Sequence, residues 1–260
     1  MPLHFGPWDV VLVVAVSLQA TALAYIPSPR WKAFAFCLPF PFTFASLALG
    51  HRIDTTNVLG LPLLIAYTQG VRLLHRRLGL PIVVAIAISA LGYSLVGCLL
   101  APVVPLGDAA FWLALAGALA LGIGLYRWLP DHAEPGHRTS LPVYIKLPIV
   151  ATVVIALVVA KGALHGFMTL FPMVGVVAAY ESRHSLWTWG RQMPTWMIAM
   201  VPMMAILRLA EPLMGIAPAL LLGWLGFLAT LLPLTWRQWT RDALEEKSRL
   251  RQAALPQHGA

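Results

Sequence analysis

The chain has 260 residues, of which 59% are hydrophobic and 11% charged, and a formal net charge of +8. A soluble domain carries about 25% charged residues, so the composition excludes a water-soluble globular fold and defines an all-α, polytopic helical membrane protein, since apolar runs of roughly 20 residues are what a bilayer core requires. The basic balance does not indicate nucleic acid, because Lys and Arg lie in short loops and in the C-terminal tail, where they set membrane orientation.

Nine spans are predicted, near 8–26, 33–50, 58–75, 80–101, 109–129, 143–162, 164–180, 191–210 and 213–235. The first ends in "ATALA", but its lead-in "MPLHFGPWD" has no Lys or Arg and carries Asp9, so it reads as a retained helix rather than a signal peptide. The second, "CLPFPFTFASLALGHR" at its core, places Pro39 and Pro41 inside an apolar run. The fifth carries two small-residue rows, Ala114-Ala118-Gly122 and Ala116-Ala120-Gly124, a spacing that lets helices approach closely in lipid.

The loop after it holds Asp131, His132, Glu134 and His137 among Pro and Gly, and reads as a solvated polar loop rather than a metal site. The tail 236–260 mixes Arg, Lys and Glu with Leu and Ala, as a solvated or surface-lying helix end does; a docking site for a cytoplasmic partner is the alternative. Cys37 and Cys98, each within an apolar run, read as small buried hydrophobes, and tryptophans at span ends match an interfacial belt.

The chain repeats itself. In one ungapped register of 131 residues Ala20-Thr21 meets Ala151-Thr152, Phe40-Pro41 meets Phe171-Pro172, and Pro81, Gly92 and Pro102 meet Pro212, Gly223 and Pro233. Arg30 meets Lys161, Arg52 meets Arg183 and Arg77 meets Arg208. Apolar letters match by chance in any membrane protein, whereas prolines, glycines and basic residues are scarcer. The register divides the chain into a four-helix repeat over 1–104, a linker helix and loop over 105–142, a second repeat over 143–235 and the tail 236–260. Four spans plus one linker span make the second repeat enter from the opposite side, so the two are predicted to be inverted copies. With the N-terminus outside and the C-terminus cytoplasmic, most Lys and Arg fall on the inner side.

The second repeat, "LHGFMTLFPMVGVVAAYESRH" followed by an apolar span and "LLLGWLGFLATLLPL", resembles the GlpM family of small bacterial inner-membrane proteins through Leu170, Phe171, Pro172, Ala178, Ala179 and Tyr180. The resemblance implies a four-span unit, duplicated here, in a bacterial inner (plasma) membrane. It supplies no catalytic or binding residues.

No nucleotide loop, metal cluster or catalytic triad stands at diagnostic spacing, so no cofactor is assigned. Pro41 and Pro172 lie in equivalent helices, where a proline frees a carbonyl that needs a partner in lipid. Paired discontinuous helices in inverted halves point to a transporter's midplane site, although proline kinks also serve packing alone. Thr21, Thr43, Thr152 and Thr169 are the candidate polar lining. Arg30 and Lys161, and Arg52 and Arg183, are candidate mouths for an anion, although they also read as interfacial anchors. The leading functional expectation is a transporter or channel for a small polar or anionic solute, with the lipid bilayer as its surroundings and a homo-oligomer as one possible assembly. The alternatives are a non-transporting scaffold or accessory subunit and, third, a lipid-processing enzyme.

Overall fold

A computed structural model describes residues 6–50, 52–130, 134, 137, 142–159 and 165–254. It contains ten α-helices: α1 Pro7–Tyr25, α2 Pro29–Cys37, α3 Phe40–Leu49, α4 Thr55–Arg76, α5 Ile82–Leu100, α6 Asp108–Trp128, α7 Val143–Val159, α8 Met173–Glu181, α9 Leu186–Met214 and α10 Ile216–Ala254. A 3₁₀ segment, His165–Leu170, precedes α8. No strand occurs among the described residues, as the composition requires.

Among the described residues, seven helical stretches are long and apolar enough to cross a membrane: α1, α2 with α3 taken together, α4, α5, α6, α9 and the first 29 residues of α10. The two remaining predicted spans look different. Residues 143–162 give the 17-residue α7, and residues 164–180 give the 3₁₀ segment followed by the nine-residue α8. Gly50 ends α3 at φ 61°, a left-handed cap that a side chain would strain. Asp54 starts α4 by accepting the Thr56 amide, which satisfies one of the helix's orphan donors.

Helix α9 forms the centre. Its Met193, Met197, Met200, Met203 and Met204 are all fully buried, and flexible thioethers fill the irregular space between several helices. Helices α10, α6, α4 and α2 all pack on it. Helices from the first and second halves of the sequence pack on one another. Helix α2 of the first half rests on α9, while the 3₁₀ segment of the second rests on α4; α3 touches α10, while α8 touches α5; and α1 packs on α7.

The outward faces of α5, α6 and α10 expose Leu91, Leu95, Leu99, Leu113, Leu221 and Leu225. A row of bare leucines this long is stable against acyl chains, not water.

Contacts sort the loops onto two faces. Lys32 with His137 and Glu181, Arg76 with Arg183 and His184, and Arg30 with Asp242 lie on one. Arg52 with Arg208, and Arg208 with Asp108 and Ile53, lie on the other. The first face also carries Arg77, Arg127, Lys146, Arg191, Arg237 and Arg241, whereas the second carries Asp9, Asp54, Asp108 and Glu211.

Candidate functional site

Both halves break a helix at a proline, and the breaks face each other. Leu38-Pro39-Phe40 forms a tight turn in which the Phe40 amide donates to the Leu38 carbonyl at 2.9 Å, with Pro39 at φ −82°, ψ 38°. Phe171-Pro172-Met173 does the same, the Met173 amide reaching the Phe171 carbonyl at 2.6 Å, with Pro172 at φ −72°, ψ 49°. These are close to the inverse γ-turn, which suits proline's fixed φ. The turn prolines sit two residues out of the 131-residue register, because Pro41 occupies the second position of α3 rather than the turn. A proline in the first helical turn gives up an amide that would lack a partner anyway.

Between the breaks lies a cavity of about 390 Å³, its open mouth included. It is lined by Pro39, Pro41 and Phe42 on one side and by Thr169, Phe171, Pro172 and Gly175 on the other, with Phe36, Leu64 and Trp196 closing it. The first turns of α3 and α8 both border this space, so the positive ends of two helix dipoles are directed to one place.

The carbonyls freed by the first break are satisfied. The Gln19 side-chain amide of α1 donates to Ala35 O at 3.0 Å and to Leu38 O at 3.1 Å. The Thr43 hydroxyl donates to Pro39 O at 2.8 Å and accepts the Trp224 indole N–H at 2.9 Å. At the second break Tyr93 donates to Phe167 O at 2.8 Å, and Asn57 donates to the Thr169 hydroxyl at 2.9 Å. Replacing Gln19 by Leu removes the side-chain donor from both carbonyls and leaves Ala35 O only the long Leu38 amide bond at 3.4 Å and Leu38 O only the bent γ-turn bond from Phe40. A loss of about 1–3 kcal/mol is expected, read as a lower unfolding midpoint of the detergent-solubilised protein, with Gln19→Glu unable to restore the bonds.

Of the predicted lining, Pro41, Pro172 and Thr169 meet in this cavity. Thr43 is used within the break. Thr21 is buried in α1, and Thr152 is exposed on α7, bonding Pro148 O at 2.9 Å. None of the described candidate mouths lines the cavity. Arg30 lies 3.9 Å from Asp242, and Arg52 donates to Arg208 O at 3.2 Å. Arg183 stacks over the Tyr180 ring at 4.9 Å and approaches His137 Nε2 at 3.3 Å. Lys161 lies outside the described residues, as do Asp131 and His132.

A second constellation escaped the sequence reading. Lys32 of α2, Lys146 of α7 and Glu181 of α8 are buried together, at 2%, 6% and 1% exposure. Lys146 pairs with Glu181 Oε1, while Lys32 donates to the carbonyls of His137 at 2.9 Å and Glu181 at 3.2 Å. The triad thus ties the basic-face ends of both broken helices to α7. On the opposite face Arg208 reaches Asp108 of α6 and the Ile53 carbonyl. Each cation lies at a span end and reads from sequence as an orientation charge; its burial depends on which helices converge there.

On the same face His184, itself exposed, is held below the ordinary histidine range by partial desolvation first, then by Arg183, His137, Arg76 and His75. A histidine whose pKa is lower folded than unfolded binds its proton more readily in the unfolded chain. Stability is therefore full above the unfolded value near 6.5 and falls as pH drops through it toward the lower folded value. Unfolding midpoints measured from pH 8 to 5 should decline less in His184→Gln than in the wild type.

Among the described residues no group of three or more His, Cys, Asp or Glu is placed to hold a metal ion. No protein-family model matches the chain, and neither does any curated protein or solved structure. The architecture defines the class, a polytopic helical membrane protein with two broken helices meeting at an internal cavity.

Proposed function

We propose that the chain is an integral membrane transporter in which two inverted, GlpM-like four-helix repeats, 1–104 and 143–235, hold a small solute where their broken helices cross. The observation that carries the reading is the convergence of the Pro39 and Pro172 turns on one cavity. Discontinuous helices are tolerated in lipid only where they are buried in protein or line a cavity, and a pair of them in opposed halves is the arrangement transporters use for a midplane site. The reciprocal packing of α2 on α9 and of the 3₁₀ segment on α4 supports the repeat. The basic residues gathered on one face support a cytoplasmic C-terminus in a bacterial inner membrane.

The solute that suits this cavity is a small carboxylate with an apolar body. Two helix N-termini favour a negatively polarised end, and Phe36, Phe42, Phe171 and Trp196 suit an apolar remainder. The anion preference thus resides in the half-helix ends rather than in Arg30, Arg52 or Arg183.

Uptake into proteoliposomes across small carboxylates, their amides and matching amines tests this. Saturable uptake of a carboxylate that its amide does not compete is the expected result. A second reading, a non-transporting scaffold, is favoured by the apolar lining, which apart from Thr169 and the Trp196 indole offers no polar side chain among the described residues. Absence of saturable uptake for every member of the panel would establish that reading instead.

A further inference from the structure

A second, polar recess lies at the basic face, away from the crossing. It is lined by Tyr126 of α6, Arg191 of α9 and Gln238 and Arg241 of α10, and encloses about 270 Å³ with its mouth. Helices α6 and α10 each pack on α9 rather than on each other, so the recess heads a cleft that opens sideways.

Its walls are fixed. Asp242, 4% exposed, clamps Arg191 through two hydrogen bonds of 3.0 and 2.9 Å. Gln238, 7% exposed, accepts the Thr195 hydroxyl at 3.1 Å through Oε1, which leaves the orientation of its amide nitrogen set by the bond on the other atom. Arg241 is exposed. The site therefore offers the exposed Arg241 guanidinium, an amide and a phenol, beside an Arg191 already paired with Asp242.

Its level in the membrane says what fills it. Trp128 and Trp236, 88% and 73% exposed, flank it in sequence on α6 and α10, at the depth where indoles meet headgroups. One turn toward the membrane centre on the same two helices stand the half-buried, apolar Ile123 and Leu234. A phosphate group suits the polar head of such a cleft, and an acyl chain suits its continuation.

We infer that this recess binds the phosphodiester headgroup of an anionic phospholipid of the inner leaflet, with Arg241 on the phosphate oxygens, Gln238 and Tyr126 on the headgroup's remaining acceptors, and the Asp242-paired Arg191 forming the wall behind them. Guanidinium–phosphate contacts are short and charge-assisted, and basic pockets between helices on the cytoplasmic side recognise such headgroups. The inference rests on the cytoplasmic C-terminus proposed above and holds whether or not the crossing cavity carries a solute.

Delipidated full-length protein in detergent, titrated with phosphatidylglycerol, phosphatidylcholine and, separately, inorganic phosphate, tests it by native mass spectrometry. Preferential retention of one phosphatidylglycerol is expected, weakened about tenfold by Arg241→Gln, as loss of one charged hydrogen-bonding group implies. Arg237→Gln, exposed on the same helix but outside the recess, should leave retention unchanged. Equal retention of both lipids, or an Arg237→Gln effect as large as that of Arg241→Gln, would show diffuse charge attraction and overturn the site. Competition by inorganic phosphate at the lipid's own affinity would reassign the recess to a free anion.

Discussion

Glu181→Leu is expected to destabilise the protein by about 3–5 kcal/mol, the usual consequence of leaving a buried charge without its partner. Lys146 loses its paired carboxylate, and Lys32 beside it keeps only carbonyl acceptors. Two ammonium groups would then be buried with no anion between them. The double variant Glu181→Leu, Lys146→Met removes the pair together and should recover much of the loss, because a buried ion pair replaced whole by apolar groups is often neutral. Equilibrium unfolding in mild detergent reads both. A single-variant loss below about 0.5 kcal/mol, the scale of ordinary surface substitutions, would show that water reaches the triad and that it does not tie the helices.

Gly175→Val should disable the crossing more selectively. A Cβ at Gly175 would lie 2.9 Å from the Pro172 Cβ and 3.2 Å from Tyr67 Cε1, with Phe36 at 3.8 Å. The first neighbour belongs to the turn itself and has little freedom to yield. Overpacking of this kind costs about 1–3 kcal/mol, and the added methyls occupy the cavity. If that cost falls on solute binding, affinity drops about 5- to 150-fold. Gly92→Val supplies the control, since nothing lies within 4 Å of a Cβ there. Equal uptake by Gly175→Val and wild type would place the solute path elsewhere.

Much of the fold is legible in the sequence because the bilayer admits few solutions. The apolar runs announce helices, and six of the nine predicted spans correspond to continuous helices long enough to cross. The sequence pairs Pro41 with Pro172, whereas the helices break at Pro39 and Pro172; Pro41, Pro172 and Thr169 do share a cavity. The form of the break was not legible. Hydropathy continues unbroken across Leu38 and Pro39, so a kink at Pro41 and a full interruption at Pro39 look alike in composition.

The partners of the breaks were hidden for a different reason. Gln19 lies 16 residues from Ala35 and Asn57 lies 112 residues from Thr169, distances over which no local pattern operates. Thr21 and Thr152 stand in the 131-residue register read from the sequence, yet register alone says nothing of which way a side chain faces. Lys32, Lys146 and Glu181 carried no signal in the sequence, since a charge at a span end is ordinarily solvated and only the packing of α2, α7 and α8 encloses these three.

The central claim is that the crossing cavity is a solute path reached from both sides of the membrane. The measurement that meets it most directly is the accessibility of a single cysteine at Leu64, 5% exposed on the cavity wall, in a background with Cys37 and Cys98 replaced by Ala. A membrane-impermeant maleimide applied to oriented vesicles from either side is predicted to label Leu64→Cys, and a transported carboxylate is predicted to slow the labelling from both. Failure to label from either side, in protein that labels fully once unfolded, would contradict the account and leave the crossing as a packing joint.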